Sequence, residues 1–292
     1  AQIGTYQFLT TATGSTIAGS TAITPEKANT FNFGFVFNAP RGGGILGDFS
    51  LSVDYYNISI KNVISPVPGA LVLSGCYNLD GTNSSYSATN VNCAQITRDA
   101  ATGQLVNVNT PFRNLGALKT DGIEVQMHWG VPAPFLGQSG KLYVDTGVGY
   151  LNNYKVQVLP GAAFLDYTGI SNGTIVDTGT VPPRVTPRWK GLTTFGYRSD
   201  TLNLGLRWKY QSAMDDVSKI NSPTNVAVGV PAYATWDLFG SIKFMKNYEL
   251  RAGVANLFNR GLPIVNSSQN LTDAAQYDIV GRSFYIGFKA KF

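Results

Sequence analysis

Apolar and polar residues alternate along most of the chain. The clearest run is Thr201 to Gln211. Leu202, Leu204, Leu206, Trp208 and Tyr210 share one face, and Thr201, Asn203, Gly205, Arg207, Lys209 and Gln211 share the other. The last segment repeats it, with Phe284, Ile286, Phe288, Ala290 and Phe292 against Tyr285, Gly287, Lys289 and Lys291. A period of two sustained this long predicts β-strands with two chemically different faces. Seven more segments fit the template: Phe31–Phe37, Phe49–Tyr55, Ile123–Trp129, Leu142–Tyr150, Trp189–Tyr197 (the weakest), Ala234–Phe244 and Tyr248–Val254. The phase breaks at Tyr55-Tyr56, where a bulge is expected. No segment shows a helical period, and a tenth strand within Ile3–Thr11 would alternate poorly.

The connections sort by length. Short ones fall at Asn38–Asp48, Gly130–Gly140, Tyr197–Asp200 and Met245–Asn247. Long polar ones fall at about 63–118, 155–187, 213–232 and 259–282. Strict succession of short and long puts all the short turns on one side of the sheet. That arrangement is expected of a transmembrane β-barrel, with short periplasmic turns and long outer loops. Hydrocarbon satisfies no backbone polar group, so such a sheet must close. Aromatic residues gather at the strand ends: Phe37, Phe49, Trp129, Tyr197, Phe244, Tyr248 and Phe292 near the short turns, Trp189, Tyr210, Tyr233 and Phe284 near the long loops. Two such belts suit amphipathic rings at membrane interfaces.

Composition narrows the reading. Charged residues are only 13% and aromatics 12%, which excludes a disordered chain. The +5 charge is spread out and gives no nucleic-acid footprint. There is one His and two Cys, too few for a zinc-finger array. Cys76 and Cys93 suit one loop-closing disulfide in an oxidising compartment, worth about 3 kcal/mol in the chain-entropy model. Arg41-Gly42-Gly43-Gly44 lacks the Gly-Lys-Ser/Thr of a phosphate loop. A lone His in a barrel wall offers no Ser-His-Asp set. No enzyme and no cofactor is expected.

Several ordered landmarks resemble the TonB-dependent outer-membrane receptors, from about Gly19 to Phe292. Ile23-Thr24-Pro25-Glu26-Lys27-Ala28-Asn29-Thr30 resembles the family's "L-x-P-E-x-S-x-x" stretch, and Asp54-Tyr55-Tyr56-Asn57-Ile58-Ser59-Ile60 the strand that follows. Gly253-Val254-Ala255-Asn256-Leu257-Phe258-Asn259-Arg260 matches "G-V-x-N-L-F-N-K/R". Tyr277-Asp278 through Gly281-Arg282-Ser283-Phe284 resembles "Y-D-x-x-G-R-x-F". The terminal Phe292, with Phe284, Ile286 and Phe288, resembles the signal read by the barrel-insertion machinery. Cys76 and Cys93, followed by Ile96-Thr97-Arg98-Asp99 and Asn114-Leu115-Gly116, resemble one subgroup of the family. The resemblance implies a bacterial outer-membrane receptor that binds a scarce solute, such as a carbohydrate or siderophore, and imports it with energy from TonB. Neither a TonB box nor a plug domain is visible.

At about 29 residues per strand, a 22-stranded barrel needs roughly 640 residues. The expected architecture is therefore all-β, the C-terminal nine to ten strands of a 22-stranded barrel: residues 1–26 as outer loop or partial strand, and 27–292 as nine barrel strands with the long outer loops. Its expected partners are outer-membrane lipid, the plug and remaining barrel of the same receptor, TonB through that missing part, the barrel-assembly machinery and an unidentified solute. Nucleic acid is not expected. A complete small passive pore of about ten strands and a soluble β-sandwich binding module are the alternatives; a self-contained pore needs an even strand number with both termini in the periplasm, which discriminates between the readings.

The candidate residues follow from the phase. Glu124, His128, Lys141, Asp145, Arg207, Lys209, Asp237, Lys243, Glu249, Arg251, Lys289 and Lys291 face the lumen, where most would pair with a plug. His128 has no second ligand at metal spacing and reads as structural. Asp166, Tyr167, Asp215, Asp216 and Lys219 are the loop candidates for ligand contact. The Asp215-Asp216 pair offers oxygen ligands to calcium, though a solvated acidic turn is the simpler reading. The loops are nearly neutral, which leans to a neutral solute.

Overall fold

The structure, a computed structural model, describes residues 14–40, 45, 48–136, 138–157, 160–171, 186–245, 247–264, 272 and 276–291. The strands are β1 (Gly14–Ala18), β2 (Lys27–Asn38), β3 (Asp48–Pro66), β4 (Ile96–Arg98), β5 (Leu105–Pro132), β6 (Lys141–Gln157), β7 (Leu165–Asp166), β8 (Ile170–Ser171), β9 (Trp189–Arg198), β10 (Leu202–Gln211), β11 (Asp215–Asp216), β12 (Tyr233–Phe244), β13 (Tyr248–Ala255) and β14 (Ser283–Ala290). Two short helices, α1 (Gly69–Cys76) and α2 (Ser218–Asn221), lie in the long connections. Nine strands form an antiparallel meander in the order β14-β13-β12-β10-β9-β6-β5-β3-β2. These are the nine segments of alternating residues. The Ile3–Thr11 segment and Phe292 lie outside the described residues.

The register makes each face continuous. One row crosses eight strands as Phe49, Trp129, Val144, Phe195, Leu206, Leu238, Val254 and Phe284. An adjacent row on the opposite face runs Ser50, His128, Asp145, Thr194, Arg207 and Asp237. A one-residue slip would move every greasy side chain to the polar side, so the alternation itself fixes the pairing. Many residues of the apolar face are bare: Phe33 is 68% and Ile286 77% exposed. Contiguous exposed apolar surface of this extent marks a face built for an apolar environment. β2 and β14 end the path, and their outer edges can stand in hydrocarbon only when paired.

Three features depart from the sequence expectation. The connection expected at 63–118 is narrower, because β3 continues to Pro66 and β5 begins at Leu105. β5 has 28 residues, whereas about 9–11 tilted residues cross a bilayer, so its outer part projects beyond the membrane. There, alternation no longer separates lipid from lumen, and the pattern fades. Tyr55-Tyr56 carries no bulge: the ladder passes through it without a shift, and Tyr56 turns over Gly122, where a Cβ would meet its hydroxyl at 2.6 Å. The irregularities fall instead at Lys61/Val63, where Asn62 has φ 58°, and opposite Asp121/Gly122. The latter shift turns Tyr154 and Val156 of β6 from the apolar face to the polar one.

The outer connections carry their own cores. Val67, Val72 of α1 and Val108 cluster with Leu71, Leu73, Ile96, Leu105 and Leu115. α1 shows no helical period because this small core takes three consecutive residues from it, Leu71, Val72 and Leu73; it is pinned by the Cys76–Cys93 disulfide. β1 and β4 pair with the tip of β5 on either side, β1 in parallel. Val156, Tyr167 and Ile170 form a second cluster with Leu118, Tyr154, Leu165, Val217 and Ile220. Met214, Val230 and Tyr277 form a third, with Tyr233 and Leu262.

Candidate functional site

The candidate site is the polar face of the sheet where the outer connections fold over it. Strand phase places Glu124, His128, Lys141, Asp145, Arg207, Lys209, Asp237, Lys243, Glu249, Arg251 and Lys289 on this one face. They fall into groups. Near the short turns, His128 Nδ1 donates to Asp145 Oδ1 at 2.5 Å, His128 Nε2 lies 3.6 Å from Asp48, and Lys141 Nζ lies 3.1 Å from the other Asp48 oxygen. His128 is thus held between two carboxylates. Arg251 pairs with Glu249 through two nitrogens, at 2.8 and 3.0 Å. Between these groups the face is lined by rings lying on glycines. A Cβ at Gly196 would meet the Tyr143 ring at 2.3 Å, and one at Gly205 the Phe239 ring at 2.3 Å. The Arg198 and Arg207 guanidiniums then sit over those rings, at 4.9 and 5.2 Å from their centroids.

Toward the long connections the face opens into a cavity of about 410 Å³. Lys190, Lys209, Gln211 and Asp237 come from β9, β10 and β12, while Asn256, Gln276, Tyr277 and Asp278 come from the segments flanking β13 and β14. Lys209 Nζ pairs with Asp237 Oδ2 at 2.6 Å, and Gln276 donates to Gln211. Two lysines face two aspartates, so the lining is balanced in charge and rich in amides. Such a lining can hydrogen-bond a polar solute through both donors and acceptors.

Two sequence landmarks meet at the rim. The Asn256 backbone N–H donates to Asp237 Oδ1 at 3.0 Å. Its side chain donates to the Arg260 carbonyl at 3.0 Å and accepts the Arg260 N–H at 2.8 Å, with φ 49°. Asn259 Oδ1 accepts the Arg282 N–H at 3.3 Å, and the Arg282 guanidinium reaches the Leu257 carbonyl at 3.4 Å. The Arg260 guanidinium lies 5.2 Å over Tyr233, whose ring meets buried Tyr277 edge-on at 5.1 Å. The motif at Gly253–Arg260 and the motif at Tyr277–Phe284 are the two halves of one clamp.

The loop candidates fare differently. Tyr167 is 1% exposed and belongs to a loop core, where burial pushes its phenol pKa up. Asp216 is 2% exposed and accepts the Ser218 N–H at 2.9 Å. Tyr167 packs into the cluster with Val156 and Ile170, and Asp216 lies in the short pairing of β11 with β8. Asp215 pairs with Lys219 at 2.6 Å, and Asp166 accepts from Thr168. Among the described residues no group of three acidic, His or Cys side chains could hold a metal ion. Sequence reading missed Lys190, Gln211, Asn256, Gln276 and Tyr277 as lining residues. The phase of β9 and β10 marks the first two, and the motifs contain Asn256 and Tyr277.

A TonB dependent receptor-like β-barrel family model matches residues 2–257. The chain belongs to the TonB-dependent receptor β-barrels. Among solved structures, the receptor barrel resembles the FrpB iron transporter of Neisseria meningitidis (F3-3 variant), with TM-score 0.56 and 16% identity over 95% of this chain and 32% of that one. The siderophore receptor PirA of Acinetobacter baumannii gives 0.54 and 16%, over 94% and 33%. A variant of the ferric enterobactin receptor PfeA of Pseudomonas aeruginosa, in complex with enterobactin, gives 0.57 and 16%, over 94% and 33%. At such identity the likeness concerns the fold, and the chain spans about one third of those proteins' length. Among curated proteins no sequence matches. The nine-stranded sheet is thus part of an outer-membrane TonB-dependent receptor barrel.

Proposed function

We propose that this chain forms part of the wall and several outer loops of a receptor that binds a scarce solute outside the cell and imports it with energy delivered through TonB. One observation carries the reading: a cavity with paired charges and amides opens on the lumen face directly under the folded outer connections. A passive pore has no need of such a covered binding surface. The related proteins described as an iron transporter and siderophore receptors support uptake as the activity. The balanced lining suits a hydroxyl- and amide-rich solute, a chemistry shared by oligosaccharides and uncharged chelates. In this reading the charged groups farther toward the short turns pair with a plug. The test is uptake of a labelled panel of oligosaccharides and ferric siderophores by cells carrying the complete receptor, with and without TonB. Saturable uptake of one solute that stops without TonB is expected. Uptake that rises linearly with concentration and ignores TonB would establish a passive pore instead.

A further inference from the structure

The apolar face has a sharp upper border on β2, β3, β5 and β6. Its girdle row runs Phe33, Tyr55, Ile123, Tyr150 and Trp189, four of the five aromatic, with the Tyr150 and Trp189 rings 4.5 Å apart. The same face continues outward through three further rows. The first holds Phe31, Asn57, Asp121 and Asn153, the second Asn29, Ser59, Lys119 and Lys155, and the third Lys27, Lys61, Ala117 and Gln157. Four lysines therefore project from the same face beyond the aromatic girdle. On β9, β10, β12, β13 and β14 the equivalent face carries no charged residue among those described.

Position decides what these lysines can meet. Same-face rows are roughly 6.7 Å apart along a strand, so the two lysine rows lie about 13 and 20 Å beyond the girdle. A strand tilt of about 45° reduces this to roughly 9 and 14 Å in height. Flexible lysine stems can bend their ammonium groups down to the interface from there. The acids on this face are engaged locally: Asp121 accepts from the Asn152 and Asn153 side chains at 2.7 and 2.9 Å, and Asp166 from Thr168 at 3.0 and 2.6 Å. Among the described residues none of the four lysines forms an ion pair. Lys61, Lys119 and Gln157 also line a cavity of about 290 Å³ with Pro160 and Phe164, and Lys119 Nζ lies 4.5 Å over the Phe164 ring. A cationic, amide-lined recess directly above a hydrocarbon-facing surface matches a lipid whose head is both anionic and sugar-like.

We propose that this patch binds the phosphorylated glycolipid headgroups of the outer leaflet, fixing one side of the barrel to a specific lipid. Basic residues at an anionic membrane surface contribute about 1 kcal/mol each, so each lysine removed weakens binding about fivefold. The test uses the complete receptor in detergent, titrated with purified lipopolysaccharide and read by native mass spectrometry. Lys27→Gln, Lys61→Gln, Lys119→Gln and Lys155→Gln together should lower the affinity at least 100-fold, while the four Lys→Arg changes leave it within about threefold. If the fourfold Gln variant does not fold, as judged by heat-modifiable migration, Lys119→Gln/Lys155→Gln alone should lower affinity about 20-fold. Enzymatically dephosphorylated lipopolysaccharide should bind the native receptor no better than the Gln variant binds the intact lipid. Unchanged affinity in a folded Gln variant, equal binding of the dephosphorylated lipid, or full competition by inorganic phosphate at equal concentration would each overturn the proposal.

Discussion

The clamp joining the two terminal motifs makes a quantitative prediction. Asn256→Ala removes two side-chain hydrogen bonds to Arg260, at 3.0 and 2.8 Å, from a residue only 8% exposed. Each is worth about 1 kcal/mol net. It also places Ala at φ 49°, a left-handed conformation that Asn tolerates and Ala does not, at a cost of about 1 kcal/mol. The sum is about 3 kcal/mol, confined to the segment that closes the cavity rim. Hydrogen exchange on the complete receptor reads this directly. The amides of Leu257, Arg260 and Arg282, which donate to Trp236, Asn256 and Asn259, should exchange about 150-fold faster. Asn256→Gly loses the same hydrogen bonds without the backbone penalty and should accelerate exchange about 30-fold. Amides in the centre of β10 should not change. Native exchange rates at Arg260 and Arg282 in the Ala variant, or acceleration spread evenly over β10 and β12, would show that the two motifs do not act as one clamp.

Other consequences follow from the same packing. Gly205→Val drives side-chain atoms into the Phe239 ring, which lies 2.3 Å from the Cβ position, and should destabilise the barrel by about 1–3 kcal/mol, seen as a lower temperature of heat-modifiable migration. Cys76→Ser with Cys93→Ser removes a link across 17 residues and should cost about 3 kcal/mol within the α1 connection, read as faster proteolysis between residues 67 and 104 with barrel strands intact. Hydrogen bonds from Thr82 hold the Asp80 carboxyl below the usual range, and those from Thr102 do the same for Asp99. A lowered carboxyl pKa stabilises above the unfolded value and loses that contribution as pH falls through the folded one. Thr82 and Thr102 amides, corrected for intrinsic rates, should keep their protection at pH 5 and lose it only below the ordinary aspartate value of 3.8; loss already at pH 6 would contradict this.

The membrane-crossing strands were legible because one physical requirement governs them. Leu204, Leu206 and Trp208 meet one medium and Gly205, Arg207 and Lys209 another, so the sequence alternates. Beyond the membrane that requirement lapses. The outer half of β5, the strand pair β8–β11 and helix α1 answer to small local cores, whose members come from distant stretches such as Val72 and Val108. The burial of Tyr167 and Asp216 was hidden for the same reason: sequence shows them in a polar connection, and only packing turns them inward. The lining of the cavity was half visible. Lys209 and Asp237 followed from strand phase, but Asn256 and Tyr277 act through a contact between motifs that only the folded chain brings together.

The apolar face of the sheet meets hydrocarbon while the charged face lines an interior. Spin labels placed singly along β10 of the complete receptor in bilayers read out the two environments. Positions 204, 206 and 208 should be accessible to dissolved oxygen and shielded from a water-soluble nickel chelate, and positions 205, 207 and 209 should show low oxygen accessibility. Equal accessibility of neighbouring positions to both reagents, with no period of two, would contradict the account.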